Sequence, residues 1–392
     1  MPAKTFLNHH TSVVSLLSSI LLIALLSVSF SLLAAPRPIP AAPAVAASGY
    51  ILQDFHTGKI IASSKADERL EPASLTKLMS AYIVFTELEK NNIGLADEVL
   101  ISETAWRTGG SRMFVEAGSK VSVENLIKGM IIQSGNDATV ALAEYIAGTE
   151  GAFAELMNHE AKLLGMTGSN FQNASGLPGK EHYTTATDLA ILTRALIANF
   201  PAYYPWYSQK EFTYNDITQP NRNKLLWRDD SIDGVKTGHT SSAGYCLVTS
   251  ALRDGMRLIS VVLGTKSPDA RARESQKLLN YGYRFFETRR LYAAGESLST
   301  SKLWKGNRDQ ISVGVNEDIY VTIPRGQDDA LSATIQIQEQ IIAPIEKNSK
   351  LGTATVTFGE EVLVEQAVIA LDEYSEGGLI RRLKDTVLLF FE

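Results

Sequence analysis

Strand-like segments stand at both ends of residues 50–264, with helical patterns between them, and this order limits the folds open to the chain. Residues 50–62 hold two short apolar runs around a turn that contains Gly58, which predicts a β-hairpin. Residues 244–264 hold two β-branched runs around Asp254-Gly255, which predicts a second hairpin. We therefore expect an α+β domain in which helices flank an antiparallel sheet.

Helical periodicity fills the space between these hairpins. Apolar residues recur at steps of three and four after Pro72-Ala73-Ser74, which predicts a buried helix that ends at Asn91-Asn92. A second helix-rich stretch covers residues 123–164, and a further helical pattern covers residues 269–288.

The pattern changes after Arg290 to short alternating runs separated by Gly, Pro, Asn and Asp, which is typical of a small all-β domain. The chain of 392 residues is long enough for two domains. We expect a signal peptide at residues 1–47, the mixed domain at 48–289, the all-β domain at 290–377 and an amphipathic helix at 378–392.

Both ends of the chain suggest a membrane. A lysine precedes an apolar run over residues 13–33, and small residues follow, which predicts a cleaved export signal; the alternative is an uncleaved anchor. At the other end, Leu379, Leu383, Val387 and Phe391 step by four residues, with basic residues largely on the other side. This segment is too short to span a bilayer but suits an anionic membrane surface. The alternative is a terminal helix docked on the β-domain.

Composition excludes several classes of function. The net charge of -6 is spread along the chain without a basic stripe, so we expect no nucleic-acid partner. The single cysteine, Cys246, excludes an intrachain disulfide and is expected to be a buried thiol. The six histidines have no metal-ligand spacing, and we expect neither a metal nor a cofactor.

Three short motifs carry the candidate chemistry. Ser74-Leu75-Thr76-Lys77 fits S-x-x-K, in which a Lys amine three residues along a helix reaches the Ser hydroxyl. Ser134-Gly135-Asn136 fits S-x-N, whose hydroxyl can pass a proton to a leaving amine and whose amide can hold Lys77. Alone, the first also fits a capped, solvent-facing helix start and the second a simple turn.

The third motif, Lys236-Thr237-Gly238, stands immediately ahead of a predicted strand. Its Lys and Thr would bind a substrate carboxylate, while the glycine lets an edge strand receive a peptide closely. On its own it also fits a basic turn. All three motifs in this order form the penicillin-binding signature and indicate a serine acyl-transferase.

The chain resembles the low-molecular-mass penicillin-binding proteins of the D-alanyl-D-alanine carboxypeptidase A type from Tyr50 to Glu392. Shared segments are residues 72–79, 134–138, 171–177 and 233–240, together with the β-domain and its amphipathic tail. The resemblance implies a serine DD-peptidase domain at 48–289 that removes the terminal D-alanine of peptidoglycan pentapeptide stems without a metal. It also implies covalent inhibition by β-lactams and a periplasmic location, with peripheral attachment to the inner membrane.

The resemblance also implies residue roles. Ser74 would be the nucleophile and Lys77 the general base, with Ser134 and Asn136 forming the second wall of the site. The substrate-binding set would be Lys236, Thr237, Gly238, His239 and Arg222. The oxyanion hole would consist of the backbone N–H groups of Ser74 and His239. Arg222 and Arg273 resemble basic positions of the family but also fit structural ion pairs.

A lysine base makes an energetic demand. Free lysine has a pKa near 10.4, so a base that works near pH 7 needs a shift of roughly three units, about 4 kcal/mol. We expect burial and the nearby Lys236 to supply it.

Three alternatives remain open at this stage. A class A β-lactamase adds a glutamate after S-x-N to activate the deacylating water, whereas residues 165–176 contain no carboxylate. Endopeptidase relatives carry a large insertion between the first two motifs or lack the β-domain, and this chain does neither. A non-catalytic penicillin-binding envelope protein would be expected to lose Ser74, Lys77 or Lys236.

Overall fold

The computed structural model describes residues 39–391, so the predicted signal core lies outside the described residues. Seventeen strands are present in this part of the chain: β1 Gly49–Asp54, β2 Ile60–Ser64, β3 Glu98–Leu100, β4 Lys120–Ser122, β5 Glu211–Tyr214, β6 Ile217–Pro220, β7 Ile232–Thr240, β8 Gly244–Arg253, β9 Met256–Thr265, β10 Phe286–Tyr292, β11 Ser297–Trp304, β12 Gln310–Gly314, β13 Ile319–Pro324, β14 Leu331–Ile337, β15 Ile341–Ile342, β16 Lys350–Phe358 and β17 Glu361–Ala370.

The same residues form eight α-helices: α1 Lys77–Glu89, α2 Glu103–Arg107, α3 Val123–Lys128, α4 Asn136–Ala147, α5 Glu150–Leu163, α6 Ala186–Asn199, α7 Pro268–Phe285 and α8 Leu379–Leu389. Short 3-10 turns cover Ala73–Thr76, Tyr204–Ser208, Lys224–Trp227 and Asp328–Ala330, and a π-helical turn covers Gly129–Gln133.

A five-stranded antiparallel sheet forms the centre of the first domain, in the order β2-β1-β9-β8-β7. Both predicted hairpins are present, and the turn at Asp254-Gly255 has positive φ at both residues. Successive strand residues point to opposite faces, so Val261 packs in one hydrophobic cluster and Val262 in another. Helices cover both faces, which confirms the predicted α+β fold.

The predicted helices are confirmed with shorter or interrupted bounds. The first opens as a 3-10 turn and ends at Glu89 rather than at Asn91-Asn92. The third ends at Phe285, before the predicted Thr288, because Phe286 turns into β10 and pairs with Pro324 of β13. The predicted boundary between residues 289 and 290 therefore falls inside β10.

The second domain is all-β, as predicted. Its larger sheet has six strands in the order β14-β16-β17-β12-β11-β15, and β10 pairs with β13 beside it. Alternating apolar residues such as Ile311 and Val313 fill the core of this domain.

A buried carboxylate joins the two domains. Asp54, at the end of β1, is fully buried and accepts hydrogen bonds from the Thr57 amide at 2.8 Å and hydroxyl at 2.9 Å. Its other oxygen accepts from the Thr288 hydroxyl of β10 at 2.6 Å. Thr322 of β13 completes the cluster, 2.8 Å from Thr57 Oγ1.

The C-terminal helix α8 contacts the β-domain through its polar side. Arg381 Nη2 lies 2.7 Å from Asp309 Oδ1, and Asp385 accepts the Lys305 amide at 2.6 Å. Its apolar residues point outward, and Ile380 is 86% exposed. Within residues 39–391, no helix is both long enough and apolar enough to cross a membrane.

We predict that Thr288→Val lowers the free energy of unfolding by about 1–3 kcal/mol, because it leaves the buried Asp54 carboxylate without one of its donors. Urea denaturation of the full chain measures this difference. Thr213→Val is the matched control, because Thr213 forms a hydroxyl pair with Thr218 that is exposed to solvent. Equal stability of Thr288→Val and the control would contradict the prediction.

Candidate active site

The three sequence motifs meet at one cavity of about 790 Å³. Of the predicted site residues, seven line the cavity: Ser74, Ser134, Asn136, Arg222, Thr237, Gly238 and His239. The other two, Lys77 and Lys236, are buried next to it and bond to residues of its wall. The elements that bring them together are the start of α1, the turn before α4 and the edge strand β7.

The S-x-x-K motif has the geometry that its spacing predicts. Ser74 lies in the 3-10 turn and Lys77 is the first residue of α1, so both side chains project from the same face. The distance from Lys77 Nζ to Ser74 Oγ is 3.1 Å. The amine is therefore within hydrogen-bonding distance of the serine hydroxyl.

The Lys77 amine is held from two further directions. Its Nζ donates to Asn136 Oδ1 at 2.6 Å and to the carbonyl oxygen of Ser175 at 2.5 Å. Only 1% of Lys77 is exposed to solvent. Burial, as predicted, lowers the pKa of Lys77 to about 7, and the positive charge that reinforces it is that of Arg222 and not, as predicted, that of Lys236. The shift from 10.5 corresponds to about 5 kcal/mol, close to what a base near neutral pH requires.

Ser134 connects the second motif to the third. Lys236 Nζ donates to Ser134 Oγ at 2.8 Å, across the junction between the helical region and the sheet. Ser134 has left-handed backbone angles, φ 63° and ψ 32°, and follows the π-helical turn Gly129–Gln133. Burial, followed by the charge of Lys77, lowers the pKa of Lys236 well below its usual value.

The start of α4 fixes a wall of the cavity. Asn136 Nδ2 donates to the carbonyl oxygen of Gly109 at 2.7 Å, which leaves its Oδ1 facing Lys77. The neighbouring Asp137 is fully buried and accepts the backbone N–H groups of Met113 and Phe114, each at 2.8 Å. One helix N-terminus thus positions both Lys77 and the loop at residues 109–115.

The loop at residues 171–177 supplies the carbonyl group of Ser175, and motif matching does not assign it this role. Asn173 Oδ1 accepts the Gly176 amide at 2.7 Å, which closes the loop. Gly176 has φ +84°, and a Cβ there would lie 1.9 Å from the carbonyl oxygen of Ala73. Only glycine allows this approach. A backbone acceptor leaves no signature in its own side chain, so the sequence indicated only the segment.

The K-T-G motif precedes the predicted strand, which is β8, but it also lies within a strand of its own, β7. Polar and glycine residues obscure the strand pattern between Ile232 and Thr240, although β7 pairs with β8 throughout this range. As predicted, β7 is an edge strand, and its outer side faces the cavity. The His239 ring stacks on Tyr245 at 3.9 Å between ring centroids.

The second cavity arginine is Arg271, which is not among the residues predicted from the sequence. Its Nη1 donates to the carbonyl oxygen of Gly238 at 3.1 Å, and the residue is only 7% exposed. Arg273 instead has a side chain 63% exposed beside Glu274, outside the cavity lining. A signal existed in the helical period, because Arg271 shares the buried face of α7 with Ser275 and Leu278.

Comparisons with known proteins identify relatives of both domains. Residues 37–267 match the family model described as D-alanyl-D-alanine carboxypeptidase, and residues 286–376 match the penicillin-binding protein 5 C-terminal domain. The D-alanyl-D-alanine carboxypeptidase DacC of Escherichia coli is 44% identical, covering 89% of this chain and 90% of its own length.

Solved structures lead to the same family. Penicillin-binding protein 5 from Haemophilus influenzae superposes with a TM-score of 0.79 at 38% identity, covering 86% of this chain and 100% of its own. The ampicillin-bound form of penicillin-binding protein D2 from Listeria monocytogenes superposes with a TM-score of 0.58 at 29% identity. It covers 62% of this chain and 100% of its own. With its family match over more than half of its length, the chain belongs to the D-alanyl-D-alanine carboxypeptidase family of serine peptidases.

Proposed function

We propose that this enzyme removes the terminal D-alanine of peptidoglycan pentapeptide stems through an acyl-enzyme on Ser74. The observation that carries the proposal is the contact between Ser74 Oγ and a buried lysine amine whose pKa is lowered to about 7. A serine hydroxyl is a weak nucleophile until an adjacent base takes its proton. Lys77 is within reach of that proton.

The surroundings of Lys77 suit a neutral amine. A neutral amine has two N–H bonds and one lone pair, and two carbonyl-type oxygens, Asn136 Oδ1 and the Ser175 carbonyl, accept the two N–H bonds. The third direction leads to Ser74 Oγ. The lone pair is then available to the serine hydroxyl, and Lys77 takes its proton as Ser74 attacks the scissile carbonyl.

The positive side of the cavity suits the C-terminal carboxylate of the substrate. Lys236, Arg222 and Arg271 converge there, and the Thr237 hydroxyl adds a neutral donor. A carboxylate bound to this cluster raises the pKa of Lys236 again and keeps it charged. Ser134, which accepts from Lys236, is suited to pass a proton to the leaving D-alanine amine.

The edge strand β7 suits an extended peptide. Its outer backbone groups can pair with the stem peptide as an added strand. Gly238 has no side chain, so the peptide can approach the strand closely there. The N–H groups of Ser74 and His239 would stabilise the oxyanion of the tetrahedral intermediate. Water then hydrolyses the ester, releasing the shortened stem and the free serine.

β-Lactams are proposed to acylate the same serine and to be released slowly. Among the described residues, no Asp or Glu lines the cavity, so a carboxylate base for the deacylating water is not at hand there. This favours inhibition over the β-lactamase alternative. The ampicillin-bound relative supports β-lactam binding. An intact Ser74, Lys77 and Lys236 set also argues against a non-catalytic role.

We predict that Ser74→Ala abolishes both D-alanine release from a pentapeptide and the mass increase on incubation with penicillin, because the only proposed acyl acceptor is removed. An amino-acid assay and intact-protein mass spectrometry measure the two effects. Ser208→Ala, at an exposed serine, is the control and should behave as the wild type. A penicillin adduct on folded Ser74→Ala would refute the assignment of the nucleophile.

The pH dependence tests the base. Acylation needs neutral Lys77, so below pH 7 the acylation rate constant should fall about tenfold for each pH unit, and above pH 7 it should level off. Stopped-flow measurement of penicillin acylation, from about two pH units below neutrality to about two above it, gives the profile. A rate that is flat from acid to neutral pH would contradict the role of Lys77.

Two variants make this test specific. Arg222→Gln removes a positive charge that lowers the pKa of Lys77, so the acid limb should move to higher pH. Lys77→Arg should fold but acylate about 10³-fold more slowly, because a guanidinium does not give up its proton. Lys128→Arg, at a lysine paired with Glu124, is the matched control.

We further propose that α8 attaches the enzyme to the surface of the inner membrane, on its periplasmic side. The ion pairs of Arg381 and Arg382 hold the polar side of the helix to the β-domain. Leu383 and Phe390 remain exposed, which argues against docking of the apolar face on the protein itself. Apolar insertion combined with basic residues favours an anionic lipid surface.

We predict that Leu383→Glu with Phe390→Glu abolishes sedimentation of the full chain with vesicles of phosphatidylglycerol and phosphatidylethanolamine, because charged side chains cannot enter the acyl region. Penicillin acylation should be unchanged in the same protein. The control is Leu100→Glu, at an exposed leucine on β3. Unchanged sedimentation of the double variant would rule out attachment through α8.

A further inference from the structure

A buried chain of hydrogen bonds ends on the peptide group that precedes the nucleophile. Thr76 Oγ1 donates to the carbonyl oxygen of Ala73 at 2.9 Å. His182 Nε2 lies 2.8 Å from the same hydroxyl, and His182 Nδ1 accepts the Gln172 amide at 3.0 Å. Because Nδ1 is an acceptor, the ring proton is on Nε2. His182 therefore donates to the Thr76 hydroxyl, and the Thr76 hydroxyl donates to the carbonyl oxygen of Ala73.

This chain is sealed from solvent. Thr76 is fully buried and His182 is 3% exposed. Burial lowers the pKa of His182 to about 4, although the charge of Glu71 opposes the shift, so the ring is neutral at neutral pH. The proposed reaction uses neither side chain, and nothing about S-x-x-K requires a hydroxyl at residue 76.

The peptide group at the end of the chain is also constrained by its neighbours. Ala73 has φ +47°, a left-handed conformation that a residue with a Cβ adopts only under support from its surroundings. Gly176 packs directly on its carbonyl oxygen, and the Cβ of a residue at Gly238 would lie 3.3 Å from its side chain. The loop at residues 171–177 and strand β7 thus also pack against Ala73.

The carbonyl group of Ala73 and the N–H of Ser74 belong to the same planar unit. The peptide bond is trans, so the two groups point in opposite directions, and fixing one fixes the other. A hydrogen bond to the carbonyl oxygen also polarises the amide and makes its N–H a better donor.

We propose that Thr76 and His182 are positioning residues of the oxyanion hole: they hold the carbonyl group of Ala73 and thereby aim the N–H of Ser74 at the developing oxyanion. This inference rests on the proposed function, in which that N–H stabilises the tetrahedral intermediate. The rival explanation is that His182 only secures the loop after Gln172.

The first test removes the threonine hydroxyl. Thr76→Val should lower the acylation rate constant at saturating penicillin about tenfold or more, while the dissociation constant of the non-covalent complex stays unchanged. Thr76→Ser retains the hydroxyl and should restore the rate. Thr86→Val is the matched control, because Thr86, on the helix α1 that follows this turn, donates to the Tyr82 carbonyl oxygen at 2.9 Å, outside the cavity lining.

A spectroscopic readout separates positioning from stability. Isotope-edited infrared spectroscopy of the penicilloyl-enzyme, with ¹³C in the ester carbonyl, reports the hydrogen bonds that this carbonyl receives. In Thr76→Val the ester stretch should rise in frequency, because a misaligned Ser74 N–H donates more weakly. An unchanged stretch in folded, acylated Thr76→Val would overturn the proposal.

Two substitutions of His182 distinguish positioning through Thr76 from support of the loop after Gln172. His182→Gln can place an N–H near the position of Nε2, and His182→Asn can place an oxygen near that of Nδ1. If His182 acts through Thr76, the His182→Gln variant should retain most of the acylation rate and the His182→Asn variant should lose it, because only the glutamine supplies the N–H that Thr76 accepts. The reverse order would favour loop support and overturn the proposal. A wild-type enzyme without acylation or D-alanine release would instead refute the proposed function.

Discussion

Burial of one lysine amine is the constraint on which the rest of the site depends. A protonated Lys77 surrounded by protein would be costly unless its three N–H bonds all met acceptors. The site instead supplies two acceptors, which match the two N–H bonds of a neutral amine, and the third position faces Ser74. Each acceptor comes from a different part of the chain, so the fold must hold α1, α4 and the loop at residues 171–177 in register.

The structure meets this demand largely with backbone atoms. Asp137 secures one loop through main-chain amides, and Asn173 closes another in the same way. Gly176 and Gly238 then allow two segments to approach the nucleophile turn more closely than any side chain would permit. Side chains connect the motifs directly, Lys77 to Asn136 and Lys236 to Ser134, while the loops around them are held through main-chain atoms that are common to every residue.

This division explains how much could be predicted from the sequence. The α+β fold, both hairpins and the all-β domain followed from apolar periodicity. Helical spacing predicted that Lys77 can reach Ser74, but only the three motifs together singled out this pair. The Ser175 carbonyl could not be found, because a main-chain acceptor is independent of residue type. Arg271 was missed for another reason. Arg271 and Arg273 are two residues apart, and only the position of the buried face of α7 distinguishes them. Strand β7 could not be recognised from its sequence, because the K-T-G motif and its neighbours place glycine and polar residues where a strand usually has apolar ones.

The edge position of β7 has a consequence for the protein as a solute. A strand that offers unpaired backbone groups to a peptide offers them equally to the edge strand of another molecule, which is a common route to aggregation. Here that edge opens into a walled cavity, flanked by Ser111, Leu177 and Trp227 from three other segments. Native proteins commonly cover an exposed edge strand with a loop or helix. The segments that wall the site therefore also flank the edge that a second molecule would have to reach.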